Sequence, residues 1–147
     1  MISLDTIPAK LGVSAAFTEK GGVHWLAPGS LSVRKLAETM NELRARFITI
    51  TAYQLPKDEG FSLEYHWDLD GSLLGFAFPV VNKTFESIYD LSEAADWIER
   101  EIHEGYGLDF TGREYEPLLL RQGESTGVNL REGVAASDAV AVSQEKK

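Results

Sequence analysis

The chain has 147 residues and no cysteine, and its 23 acidic against 14 basic side chains give a formal net charge of −9. That length fits one globular domain, the charge opposes binding to nucleic-acid phosphates and anionic lipid headgroups, and the missing thiols exclude disulfides, thiolate zinc sites and the usual ligation of iron–sulfur clusters. With 44% hydrophobic and 25% charged residues the composition is that of an ordinary folded domain, and its acidity favours a neutral or basic protein partner.

The N-terminal stretch, with Asp5 early and no basic region leading into an apolar run, does not read as a secretory signal. No apolar run approaches the ~20 residues of a membrane span; Leu73 to Val81 is strand-sized, so a cytoplasmic chain is expected. A short helix or strand is expected within Leu4 to Leu11, and a strand within Val23 to Leu26. From Leu31 the pattern sharpens. Val33, Leu36, Met40, Leu43 and Phe47 recur at spacings of three and four, which places them on one helical face. Ser30 or Ser32 can cap its start.

Phe47 to Tyr53, rich in β-branched and aromatic residues, predicts a strand. In the next segment Phe61, Leu63, Tyr65, Trp67 and Leu69 alternate with polar residues, the period of a strand with one buried face. Asp70-Gly71 is a tight-hairpin signal, because both residues accept positive φ, and a partner strand follows from Leu73 to Phe78. After a loop from Asn82 to Asp90, a second helix is expected from Ser92 to Glu104, with Ser92 as N-cap and Gly105 as C-cap. Leu91, Ala95, Ile98 and Ile102 form its apolar seam, with Trp97 beside them on the border between core and surface. Beyond Leu120 the periodicity fades, and Gly133 to Lys147 reads as a mobile or partner-ordered tail.

Catalytic patterns are missing. The glycines between Gly105 and Gly112 follow a helix instead of leading from strand into helix, so they do not form a nucleotide fingerprint. Glu99 and His103 are one helical turn apart but lack further metal ligands, and no Gly-x-Ser-x-Gly elbow occurs. No catalytic, metal or cofactor-binding residue is assigned, and no cofactor is expected.

The stretch from Ser87 to Gly112 carries a recognisable arrangement: Ala95, Trp97, Glu99-Arg100-Glu101, Tyr106-Gly107, Phe110 and Gly112, followed by Leu118-Leu119-Leu120. It resembles the signature of the complex I (NADH-quinone oxidoreductase) 30 kDa subunit family, which includes the equivalent subunit of energy-converting membrane-bound NiFe hydrogenases. The order of elements from Leu31 to Leu120 is similar to that family. Departures are Glu104 for a more usual Asp, Arg113-Glu114 for His-Pro, and Glu116-Pro117 for Arg-Arg. The basic, proline-rich end of the complex I branch is also missing, and these departures lean toward the hydrogenase-type branch.

The resemblance implies a non-catalytic structural subunit in the soluble arm of a membrane-bound, ion-translocating redox complex. Its partners would be a large NiFe-hydrogenase-like or quinone-site subunit and neighbouring iron–sulfur subunits, and it would lie peripheral to the membrane through that complex. The residues expected at the partner interface are Glu99, Arg100, Glu101, Glu104, Tyr106, Gly107, Phe110, Gly112 and Leu118. Residues themselves leave a plainer reading open, in which the same charges form an internal network that fixes the turn. The expected fold class is α+β: a mixed or antiparallel sheet with a β-hairpin, backed by two main helices, in one domain over 1–121 with an extended tail over 122–147. The alternative functions are a free-standing adaptor of the same fold and a small enzyme using acid–base carboxylates.

Overall fold

The computed structural model of the chain describes residues 1–131, so the mobile tail expected over 133–147 lies outside the described residues. The described part is α+β, with a five-stranded mixed sheet, two main helices and one short one. Its centre is the hairpin of β4 (Phe61–Leu69) and β5 (Ser72–Val80), paired without interruption from Leu69↔Ser72 to Phe61↔Val80. Asp70 and Gly71 take φ of 50° and 87°, the paired positive values that close a two-residue turn with the twist of the strands. The Asp68 side chain accepts the Gly71 amide at 2.9 Å and fixes the turn further.

The strict alternation of β4 is realised: Phe61, Leu63, Tyr65, Trp67 and Leu69 are buried, and the four residues between them are half-exposed. β3 (Arg46–Gln54) pairs antiparallel with β4 along its other side, with a bulge at Ile48 that turns this side chain outward. On the far side, β2 (Val23–Trp25) adds to β5 in parallel and carries β1 (Thr18–Lys20) in an antiparallel ribbon. Gly75 is needed here, because a Cβ would lie 2.7 Å from the Trp25 ring. Pro79 falls inside β5 instead of ending it. Only His24 and Trp25 of β2 pair with β5, opposite Leu74 and Gly75, so Pro79 lies where that side of the strand has no ladder to donate to.

Helices cover one face of the sheet. α1 (Ile7–Leu11) is short and follows a single 3₁₀ turn. α2 (Val33–Glu42) is capped by Ser32, whose hydroxyl accepts the amides of Arg34 and Lys35 at 3.1 and 3.3 Å. It buries Val33, Leu36 and Met40, but Arg44 at φ 57° breaks it, so Phe47 belongs to β3 and not to the helical face. α3 (Ala95–Tyr106) starts three residues later than the sequence suggested. Ser92 is not its cap: its carbonyl accepts the Ala95 amide in a turn ahead of the helix. Gly105 lies inside the helix, and Gly107, at φ 71°, makes the left-handed end. The carbonyls of Glu104 and Gly105, which the helix end leaves open, accept the amides of Gly127 and Asn129, each at 2.7 Å.

Two short strands in stretches read as loop form a separate parallel pair, β6 (Thr84–Glu86) with β7 (Asp109–Thr111). Leu118 to Leu120 forms a bend. The core lies between helices and sheet and is strongly aromatic, with Trp67, Tyr65, Phe76 and Phe110 all at 1% exposure or less. Trp97 is 67% exposed and belongs to none of it, since its position on α3 faces away from Ala95, Glu99 and Ile102.

Trp67→Ala should therefore cost about 3–5 kcal/mol in urea denaturation of the purified protein. Trp97→Ala should change the midpoint by less than ~1 kcal/mol equivalent, as for an exposed side chain. Equal losses for the two variants would contradict the buried and exposed settings of the two rings.

Candidate functional site

Four charged residues of α3, Asp96, Glu99, Arg100 and Glu104, turn to their own chain. Glu99 is fully buried, and its carboxylate accepts from the Ser87 hydroxyl at 2.6 Å, the Ile88 amide at 2.8 Å and Arg113 at 3.1 Å. Arg113 comes from the segment after β7 and is itself 3% exposed. It also donates to Asp96, one turn earlier on α3, and lies between the rings of Tyr89 and Tyr115, at 4.8 and 5.0 Å from their centroids. Burial pushes the Glu99 carboxyl above its ordinary range, and the donations from Ser87, Ile88 and Arg113 only partly offset it. Burial likewise lowers the Arg113 guanidinium, but hydrogen bonds to Asp96 and Glu99 outweigh it and leave the group more firmly charged.

Arg100 and Glu104 hold the next stretch of chain from both sides of its peptide groups. Arg100 donates to the carbonyls of Glu116 and Pro117 at 3.1 and 3.2 Å, and to Asp96 at 3.3 Å. Glu104 accepts the successive amides of Leu118, Leu119 and Leu120 at 2.7, 2.8 and 3.2 Å. Burial raises the Glu104 carboxyl, yet these three amides and the nearby charge of Arg100 win, so it titrates below its ordinary range. His103 stacks on Tyr115 with ring centroids 3.7 Å apart, and its Nδ1 lies 2.7 Å from the Leu108 carbonyl, which assigns that nitrogen the proton. The Tyr115 hydroxyl sits on the Phe110 backbone, and burial pushes its pKa up to about 12.

Among the residues expected at an interface, Glu99, Glu104 and Phe110 are buried and engaged within the chain. Gly107 ends the helix, and Gly112, at φ 82°, turns the chain after β7. Tyr106 is half-buried, edge-on to Phe61 at 5.8 Å, while Arg100 and Leu118 are half-buried along the strap over α3. Glu101 is exposed, as are Trp97 and Leu119 nearby in sequence. Sequence reading missed Asp96, Arg113, Ser87, Tyr89 and Tyr115 as members of the network. Asp96 did carry a signal, standing one turn before Arg100 on the same helix; the partners of Arg113 lie 14 and 17 residues away and gave none. Chemically, this arrangement is a brace: its acids are ion-paired or bonded to amides. Among the described residues no group of three His, Cys, Asp or Glu side chains is placed to hold a metal ion, and no helix is long and apolar enough to cross a membrane.

A family model described as respiratory-chain NADH dehydrogenase, 30 Kd subunit, matches residues 30–139. No curated protein matches the chain. Among solved structures, a trypsin-resistant fragment of Nqo5 is similar at 22% identity and a TM-score of 0.52, over 68% of this chain and 88% of that one. A chain of the membrane-bound sulfane sulfur reductase, an archaeal respiratory membrane complex, is similar at 19% identity and a TM-score of 0.57, over 80% of this chain and 76% of that one. At such identities the two structures share the fold.

The two buried glutamates should leave opposite marks on stability against pH. Glu104 titrates below its ordinary 4.5, so its contribution is complete above that pH and is lost as pH falls through the folded value. Glu99 titrates above 4.5, so its contribution is complete below that pH and is lost as pH rises through the folded value. The stability of wild type minus Glu104→Gln should shrink on acidification, whereas that of wild type minus Glu99→Gln should grow. Urea midpoints across the acid range test both signs.

Proposed function

This chain belongs to the family of the 30 kDa subunit of respiratory-chain NADH dehydrogenase, and we propose that it is a non-catalytic structural subunit in the soluble arm of a membrane-bound redox complex. The observation that carries this reading is the use made of the family-like segment. Asp96, Glu99, Arg100 and Glu104 are spent on fixing 112–120, so these four residues of the signature build a rigid corner, while Glu101 beside them stays exposed. Rigid, pre-ordered surface is what a docking subunit needs, because less ordering is then lost on association.

The partners in this reading are the large NiFe-hydrogenase-like or quinone-site subunit and neighbouring iron–sulfur subunits, with the chain cytoplasmic and peripheral to the membrane through them. The domain over 1–121 would dock, with 122–147 as its extension. Exposed Trp97 and Glu101, one helical turn apart on α3, and exposed Leu119 supply aromatic, charged and apolar side chains of the kind that anchors interfaces. Arg113-Glu114 and Glu116-Pro117 favour a hydrogenase-type or other divergent member. The absence of cysteine agrees with a subunit that holds no cluster of its own.

Co-expression with the large subunit, purification in mild detergent and mass spectrometry should recover the two together, while the chain alone should show no flavin or cluster absorbance. Bound redox cofactor in the isolated chain would overturn the reading. Trp97→Ala and Glu101→Lys should leave monomer stability within ~1 kcal/mol yet reduce recovery of the partner. Arg100→Ala should instead lower monomer stability, by about 1–3 kcal/mol, since it frees two backbone carbonyls and Asp96.

A further inference from the structure

A second cluster lies on the sheet face that the helices leave open. Alternation along β4 puts Glu64, His66 and Asp68 on that face. Opposite His66 stand Thr49 of β3 and Gly75 of β5, and opposite Gly75 stands Trp25 of β2. The Trp25 ring lies against Gly75 and meets the His66 imidazole edge-to-face, with ring centroids 5.3 Å apart at 76°. His66 is half-buried, yet its Nδ1 is fully covered and has no hydrogen-bond partner among the described residues. A bare lone pair there is a modest loss. A second N–H carrying the charge of an imidazolium is a larger one, because a covered ionic donor without an acceptor forfeits its hydration.

The charges around the ring come from three strands. On β4 they are Glu64 and Asp68, and Arg46 of β3 pairs with Asp68 at 3.1 Å. On β1, Lys20 stands opposite Val23, two residues along β2 from Trp25. Thr49 and Thr51 of β3 and Leu73 and Ala77 of β5, the other neighbours on this face, do not titrate. Burial lowers His66 below its ordinary 6.5, and Glu64, which favours the charged ring, only partly offsets it. The ribbon over the ring is lightly held. β2 pairs with β5 only at His24 and Trp25, with one further bond from the Leu26 amide to the Gly75 carbonyl at 3.0 Å. Its two ends are anchored: Phe17, ahead of β1, stands edge-on to Phe76 at 6.2 Å, and Leu26, after β2, is 1% exposed. The stretch over 18–25 can therefore leave β5 while the chain on either side of it stays in place.

We propose that β1 and β2 form a pH-sensitive clasp, closed over β5 while His66 is neutral and opened when its Nδ1 takes a proton. The charged ring regains water when Trp25 swings off it, and the ladder that opposes this motion is two residue pairs long. A ring that titrates below its ordinary value when covered stabilises the closed form fully above pH 6.5, and that contribution is lost as pH falls through the covered value. Each pKa unit between the covered and the free ring changes the opening equilibrium by about tenfold. The clasp lies on the face of the sheet away from the α3 corner and holds whatever that corner docks against.

Native-state amide exchange by NMR, corrected for the intrinsic pH dependence of exchange, tests the clasp on the full chain. The Leu26 amide reports the β2–β5 contact, and the Tyr65 amide, on a strand paired along both sides, reports opening of the whole sheet. Between about pH 7.5 and about pH 5.5, protection at Leu26 should fall at least about threefold while that at Tyr65 holds. His66→Phe, which keeps a ring beside Trp25 but cannot take a proton, should flatten the Leu26 profile. His66→Gln, neutral and polar, should flatten it too, and it carries the test if the phenylalanine variant does not fold. Constant protection at Leu26, a fall that Tyr65 shares in equal measure, or an undiminished fall in either folded variant overturns the proposal.

Discussion

A carboxylate with no exposure to water must be met from several directions or the fold cannot keep it ionised, and Glu99 is that group here. It draws the chain after β6 inward through Ser87 and Ile88, and the chain after β7 through Arg113. Removing one partner from such a site leaves a charge uncompensated in the interior, which is why the whole corner forms together. The same logic extends outward by one helical turn at a time. Asp96 shares Arg113 and Arg100, Arg100 takes two carbonyls, and Glu104 takes three amides. A stretch with no regular secondary structure over 113–121 is thus tied to α3 through its own peptide groups.

Much of the scaffold was legible in local pattern. The period-two alternation of β4 and the Asp70-Gly71 turn follow from residues within one element and formed as read, and of the two caps offered for α2, Ser30 and Ser32, the chain uses Ser32. Elements that depend on distant chain were not legible. β6 and β7 have three residues apiece and exist because Thr84–Glu86 and Asp109–Thr111 are brought side by side by the helix between them. The start of α3 was misjudged for a similar reason. Ser92 looks like a cap, but the Leu91 and Ser92 amides donate to the Ile88 carbonyl, so the residue is drawn into a preceding turn.

For the site, the sequence located the segment and left the roles open. Two readings of Glu99-Arg100-Glu101 were available, an outward docking motif and an inward network. The structure shows the inward network for Glu99 and Arg100 and separates the three by environment: Glu99 is buried, Arg100 is half-buried across the strap, and Glu101 is exposed. Helical geometry explains the division, because three consecutive residues point about 100° apart and cannot share one environment. Trp97 shows the converse. The sequence put it on the border between core and surface, and its angular position on α3 resolves that outward, leaving it 67% exposed.

The approach of Trp25 to Gly75 has a consequence for solubility. β2 and β1 lie ahead of the span matched by the family model, yet β2 is the only described strand covering the outer side of β5. Three residues and one indole ring act as a hem on the sheet. A methyl group at position 75 would collide with that ring and lift the ribbon away, freeing the peptide groups at Leu74 and Gly75 and so lengthening the open edge that β5 already has beyond them. Such a border invites strand-to-strand self-association, so the first casualty of loosening the N-terminal ribbon would be the monodispersity of the protein, ahead of any effect on the corner at α3.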